Sequence, residues 1–477
     1  MKLFKRGLCL ILAFLMLVSL AACADKGGDG ESNDSVSTSG DWEIDFSYKD
    51  YEGHEFTVLR SKIEEGHGWM GIPIDLGVDE MSGDILSDAV YKRNRTLSEL
   101  LNVTIKLEMV ETGDKYTSTL NTSVMSGDGG YDLSVLHMRG FPTLINHGLV
   151  KDMNELELDT SYSWWDKEAE EALNIAGKQF AMISDITYVD KLATIGVFYN
   201  TSMAEELQLP NLYDMVDNGE WTLEKMKEYA VIATNSGEEV YGISSQNDFS
   251  YYMMHAANIQ TVSKNNNGDL VFKLAYQRPV SMLQEVFTVM NEPYYFNRMH
   301  AGLDVAETVQ MFNDQTLFLV RPLQTFYNLK DVSDNYGVLP MPKYDDVYEG
   351  YYSSVNHHAA SLMAVPVTNN ENERTADVLQ AWGMASEKIV NPEFYDRILS
   401  ARMVHDEDSI RMLDIIFEHR TYDIGLIFTI GGVEGIVLIS SKVQLEKAPG
   451  TIASSISSMK SSVEEGIKDF VDQIQGS

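Results

Sequence analysis

The chain has 477 residues, 36 of them basic and 72 acidic, for a formal charge of -36, and 44% are apolar. That length exceeds what one core usually organises, so more than one domain is expected, and the acidic surface makes nucleic acid and anionic lipid poor partners. Its two cysteines, Cys9 and Cys23, stand near the start, so the rest of the chain has neither a disulfide nor a thiolate and must rely on its core.

Lys2, Lys5 and Arg6 precede an apolar run, Leu8 to Leu20, that falls short of the roughly 20 residues needed to span a bilayer. The run ends in Leu20-Ala21-Ala22-Cys23, which is similar to the lipobox of bacterial lipoproteins, where the cysteine thiol receives a diacylglycerol before cleavage. The resemblance implies a signal peptide over 1–22, lipidation at Cys23 and a place on the extracellular face of a cell membrane, of Gram-positive type. Residues 23–44 are rich in Gly, Ser, Asp and Glu and read as a flexible tether. Among later apolar stretches, Ile424 to Ser440 is broken by Gly431, Gly432, Glu434 and Gly435 and is no membrane span.

From Phe56 onward the chain alternates strand and helix signals. Phe56 to Leu59 predicts a strand, Ser87 to Leu101 an amphipathic helix, Val103 to Val110 an alternating strand, Tyr116 to Met125 a helix and Tyr131 to Leu136 a third strand. The pattern restarts with a strand at Thr194 to Tyr199 and a helix over 201–207. Thr222 is placed to cap a helix beginning in Trp221-Thr-Leu-Glu224. Leu317 to Val320 and Tyr336 to Leu339 are later strands, Ala359 to Val367 is an apolar run, Asn265 to Asp269 is a hairpin turn, and the last third is mostly helical. Such alternation predicts an α/β fold with largely parallel sheets.

Several segments resemble, in order and spacing, the extracellular solute-binding proteins of bacterial ABC importers, in the sugar-binding group that includes maltose-binding protein and its long clostridial lipoprotein members. They are Gly127-Asp-Gly-Gly-Tyr-Asp132, Gly148-Leu-Val-Lys-Asp-Met-Asn-Glu155, Val197-Phe-Tyr-Asn200, Glu220-Trp-Thr-Leu-Glu224, Phe312-Asn313, Tyr336-Gly-Val-Leu-Pro-Met-Pro342, and Gly83-Asp84 through Asp88-Ala-Val-Tyr-Lys-Arg-Asn94. The resemblance implies a two-lobed periplasmic-binding-protein-like fold of type 2, each lobe a mostly parallel sheet flanked by helices, with the ligand in the cleft between. The first lobe is expected over 45–154 plus 316–360 and the second over 155–315 plus 361–477, with hinges near Glu155, Asp314 and Val365-Pro366.

A sugar receptor pairs flat aromatic faces with planar donors and acceptors. Gln246, Asn247, Asp248 and Phe249 stand at or beside positions that touch sugar in the family, and Asp248 has two roles open to it, ligand contact or helix cap. His137 and Arg139 follow the third strand, and Arg139 is suited to a forked bond or to a surface ion pair. Arg321, Gln324 and Tyr327 follow the strand 317–320, where the family places a stacking aromatic and this chain has Leu323; Phe326 and Tyr327 are the substitutes within reach. Tyr188 and Asp190 border the cleft in the family pattern, and Trp69 is an aromatic in a Gly-rich loop. Trp221 and Trp382 read as core. His357-His358 is not expected to bind a metal, because adjacent side chains on an extended chain face opposite ways and no matching Asp, Glu or His cluster accompanies them.

The acid count guarantees carboxylate pairs, so pairs decide nothing, and no nucleophile elbow or zinc signature is present. The chain reads as a binding protein rather than an enzyme, a lipid-anchored monomer that needs no cofactor or metal and hands a carbohydrate to ABC permease subunits. A peptide or polyamine ligand, a sensory co-receptor and a glycan hydrolase or lyase are the alternatives.

Overall fold

The computed structural model describes residues 49–62, 75–329, 336–400, 407–435 and 449–476. The signal, Cys23, the tether and Trp69 lie outside the described residues. Ser47–Ser477 is one compact unit.

Two sheets organise it. Their strands are β1 (His54–Lys62), β2 (Val103–Glu111), β3 (Leu133–His137), β4 (Ile195–Asn200), β5 (Tyr241–Ser245), β6 (Tyr295–Asn297), β7 (Thr316–Pro322), β8 (Tyr336–Leu339) and β9 (Ser361–Ala364). The first sheet runs β9-β3-β1-β2 and the second β6-β5-β7-β4-β8. In the first, β1 pairs parallel with β2 and β3 while β9 is antiparallel. In the second, β5 pairs parallel with β6 and β7, and β4 is antiparallel to both β7 and β8. The helices used below are α1 (Ile85–Leu101), α2 (Asp114–Ser126), α3 (Leu223–Thr234), α4 (Phe249–Ala256), α5 (Gln277–Met290), α6 (Val305–Gln315), α7 (Asn372–Ala385) and α8 (Ile452–Gly476).

Local chemistry explains these elements. Asp84 caps α1 by accepting from the Ser87 amide, and Leu86, Val90, Leu97 and Leu101 bury one stripe of it. Thr222 caps α3 through the Lys225 amide, as its position predicts. β4 and β7 are buried along their whole length, as central strands covered on both faces should be, whereas β2 alternates as an edge strand. Gly242 lets α3 lie against β5, since a Cβ there would stand 2.3 Å from the Ala230 Cα. The ring of Phe56 meets Trp382 edge-on at 6.3 Å, which fastens β1 to α7. Asn265 to Asp269 turns between Val262–Lys264 and Leu270–Phe272, an antiparallel hairpin.

The expected division of the chain fails in its second half. Thr316–Pro322 and Tyr336–Leu339, assigned to the first lobe, both pair with β4 in the second sheet. Ser361–Ala364, assigned to the second lobe, pairs with β3 in the first. Asp314 lies inside α6, which feeds β7 within one sheet, so the chain makes no crossing there. Residues after Glu155 also stay with the first sheet, because Met182 bridges Met363 and Val150 bridges Pro366. The chain passes between sheets only after these bridges, before β4, and returns between β8 and β9. Those two connections pair with each other, through a bridge of Thr194 with Val355 and a bond from the Asn356 amide to the Ala193 carbonyl. An apolar run reports that a strand is buried; it does not report which edge receives it.

Candidate functional site

Three neighbouring parallel strands end side by side. Asn297 is level with Ser245, and Leu319 with Ser244; continuing that register, Arg298 and Gln246 one residue beyond the first pair and Arg321 two beyond Leu319 fall on one rung at the carboxyl ends of β6, β5 and β7. Carboxyl strand ends are where open α/β sheets hold ligands. The Arg298 guanidinium donates to Gln246 Oε1 at 2.7 Å, and Gln246 Nε2 in turn reaches Asp248 and, at 3.2 Å, the Tyr252 hydroxyl. On the far side of Arg321, the rung meets Gly196 of β4, which adds no side chain.

Asp248 stands at the N-cap position of α4 but accepts no cap hydrogen bond. Its carboxylate is turned to Gln246 instead, which removes the cap role. Burial pushes Asp248 up to about 6, against the opposing pull of Gln246, Arg298, Arg321 and Tyr252. Arg321 is 4% exposed, and burial together with the charge of Arg298 pushes it down to about 10. Among the described residues its guanidinium has no hydrogen bond and no ion pair within 4 Å, so two guanidiniums share one carboxylate. Three residues on, the Gln324 amide nitrogen is also buried without a partner among the described residues.

A chain of rings leads from this group to the end of β3. Tyr252 packs edge-on to Tyr251 at 4.6 Å, Tyr251 lies 6.2 Å from His357, and His357 lies 4.3 Å from His358. His358 Nδ1 is 3.3 Å from the exposed Arg139 guanidinium, and His137 Nε2 is 2.6 Å from the Thr112 hydroxyl. Burial, with Arg139 and His137 adding to it, lowers His358 to about 4, and burial and the same neighbours hold His357 well below the usual imidazole range. Both rings are therefore neutral at pH 7. The sequence reading that these two imidazoles face opposite ways is corrected, because Asn356 to Ala360 forms a turn, not a strand, and tilts them together.

The remaining candidates separate. Asn247 accepts from the Asn297 amide at 2.8 Å, beside the rung. Phe249 is fully buried against Tyr295 and is core, so its proposed ligand contact is withdrawn. Leu323 and Phe326 are buried, the latter against Phe198 and Tyr336, so neither stacks on a ligand. Tyr327 is half-buried and senses Tyr188, itself buried beside Phe394 and near Asp75. Trp221 and Trp382 are core as expected.

Asp190 is 1% exposed and is bound to Arg420, which also holds Asp166. A cavity of about 210 Å³ beside it is lined by Trp164, Trp165, Asp166, Glu168, Asp185 and Arg420. Lys191 pairs with Asp185 and Arg420 answers Asp166 and Asp190 together, so the lining keeps an acidic excess. Asp190 is thus held by Arg420, while its Oδ1 is buried without a partner among the described residues. Arg298 was missed by the sequence reading; it follows the short strand 295–297 just as Arg321 follows 317–320, and the same signal would have found it.

A family model described as bacterial extracellular solute-binding protein matches residues 97–389, more than half of the chain. The chain belongs to the bacterial extracellular solute-binding proteins. This solute-binding protein has no match among curated protein sequences. Solved structures share its two-lobed fold. An ABC substrate-binding protein from Listeria monocytogenes in complex with cycloalternan is 14% identical, with a TM-score of 0.50, covering 90% of this chain and all of its own. A cyclo/maltodextrin-binding protein complexed with maltotetraose is 14% identical, with a TM-score of 0.57 and coverage of 86% and 98%. An ABC transporter solute-binding protein from Thermotoga lettingae bound with alpha-D-tagatose is 13% identical, with a TM-score of 0.53 and coverage of 87% and 100%. Proteins of this family bind substrates and are not enzymes.

Proposed function

We propose that this solute-binding protein captures a carbohydrate, in particular an oligosaccharide, between its two sheets and delivers it to an ABC permease. The observation that carries the reading is the row of planar side chains, Arg298, Gln246 and Arg321, at the carboxyl ends of neighbouring strands. Planar donors suit ring hydroxyls. The saccharides held by the three similar structures support the same reading. Closure would bend the paired connections at Thr194 and Val355, bringing Arg139 and His358 toward the rung; hinge motion of this kind is what a permease can sense. Cys23, lipidated, would keep the protein beside that permease.

A polyamine ligand loses support at the rung, which carries two guanidiniums. The test is a thermal-shift screen of the purified protein against saccharides, peptides and polyamines, since a ligand of the native state raises the midpoint by mass action. A shift with saccharides is expected. A shift with polyamines or peptides and none with any saccharide overturns the reading.

A further inference from the structure

Resting on the carbohydrate reading, we infer that the ligand is acidic: a uronate-bearing saccharide whose carboxylate sits on the guanidiniums of Arg298 and Arg321. In a chain with 72 acidic and 36 basic residues, two arginines on one rung are an unusual concentration of positive charge. Arg298 has partners, the Gln246 side chain and the Leu303 carbonyl. Arg321, almost wholly buried, has no hydrogen-bonded partner among the described residues, while the one nearby carboxylate, Asp248, is engaged by Gln246.

A nearly enclosed guanidinium that makes no hydrogen bond to the protein keeps its donors for a ligand. A neutral hydroxyl fills one donor and leaves the charge uncompensated. A carboxylate fills two in the planar fork that guanidinium favours and balances the second positive charge as well. Gln324, three residues on, offers a further unpartnered amide. Arg139, whose neighbours His357 and His358 are neutral, lies at the far end of the ring chain and adds positive charge there.

The test is calorimetry on the purified protein with galacturonate, glucuronate and mannuronate oligosaccharides, their methyl esters, neutral oligosaccharides of equal length, and one sulfated oligosaccharide. A uronate is expected to bind at least about tenfold more tightly than its methyl ester, with the preference reduced by salt and erased by Arg321→Gln. Arg321→Lys, which keeps the charge and loses the fork, should keep part of the preference and serves if the glutamine variant does not fold. Ester and acid binding alike, or a preference unchanged in Arg321→Gln, overturns the inference and leaves the carbohydrate reading standing. A sulfated ligand bound in place of every uronate overturns the carboxylate assignment. Failure of every saccharide overturns the reading itself, and the inference with it.

Discussion

Arg420 reaches across 230 residues of sequence to pair with Asp190, and with its other nitrogen it holds Asp166 at 2.5 Å. All three side chains are at most 10% exposed. The arrangement ties the end of the long helical segment to the connection that enters β4. Asp190, which the family pattern offers as a ligand contact, is thereby tied to the scaffold through one of its carboxylate oxygens.

Arg420→Met should therefore strand two buried carboxylates and lower stability by about 3–5 kcal/mol. Urea denaturation reads this directly. Adding Asp190→Asn to the same chain should recover part of the loss, and a double variant no more stable than the single one would show that the two residues are not coupled.

Asp248 sets a pH dependence. Its pKa in the folded protein is about 6, above the 3.8 of a free side chain. Between those values the unfolded chain has released the proton and the folded one keeps it, so rising pH favours unfolding, by on the order of 1–2 kcal/mol once its partial exposure is allowed for. Asp248→Asn should remove this slope between pH 4 and pH 6. Urea midpoints at the two pH values check it.

The same ionisation bears on the ligand. Above about pH 6 Asp248 carries a charge that offsets one of the guanidiniums of Arg298 and Arg321, with Gln246 and Tyr252 as its neutral neighbours. An anionic saccharide should bind more weakly above that pH than below it, and Asp248→Asn should bind it with little pH dependence. Calorimetry from pH 5 to pH 8 distinguishes the two profiles.

Gly242→Ala should cost on the order of 3 kcal/mol, because the added methyl would meet the Ala230 backbone and lift α3 from β5. Ligand affinity, measured below the melting transition, should change little. A large affinity loss at unchanged stability would point to a role for this strand beyond packing.

Cys23→Ser should release a protein that still binds its ligand from cells and abolish uptake of that ligand. Fractionation with an uptake assay reads both, and undiminished uptake would contradict the role given to the anchor.

Much of the fold was legible because strands and helices announce themselves locally. The cap at Thr222, the alternation of β2 and the turn after Lys264 were each readable from a few neighbouring residues. The sheet membership of β7, β8 and β9 was not, since it depends on edges offered by segments more than a hundred residues away. The site divided the same way. Arg321 was singled out because it follows a strand and Gln246 because of the family resemblance, whereas Phe249 and Asp190 look alike in sequence whether they face a ligand, the core or Arg420. Burial and partners decided those cases, and neither is written in the local pattern.

β9 enters the first sheet beside β3, though 223 residues of chain separate the end of one from the start of the other. A protein exported from its amino terminus onward would thus emerge with β1, β2 and β3 already outside the membrane while the edge of β3 still lacked its neighbour. Until Ser361–Ala364 arrives, that edge is open to the strands of any other half-emerged chain. The order of the strands thus makes export a period of exposure to misassembly, and a chain truncated before residue 361 should aggregate rather than persist as a working half.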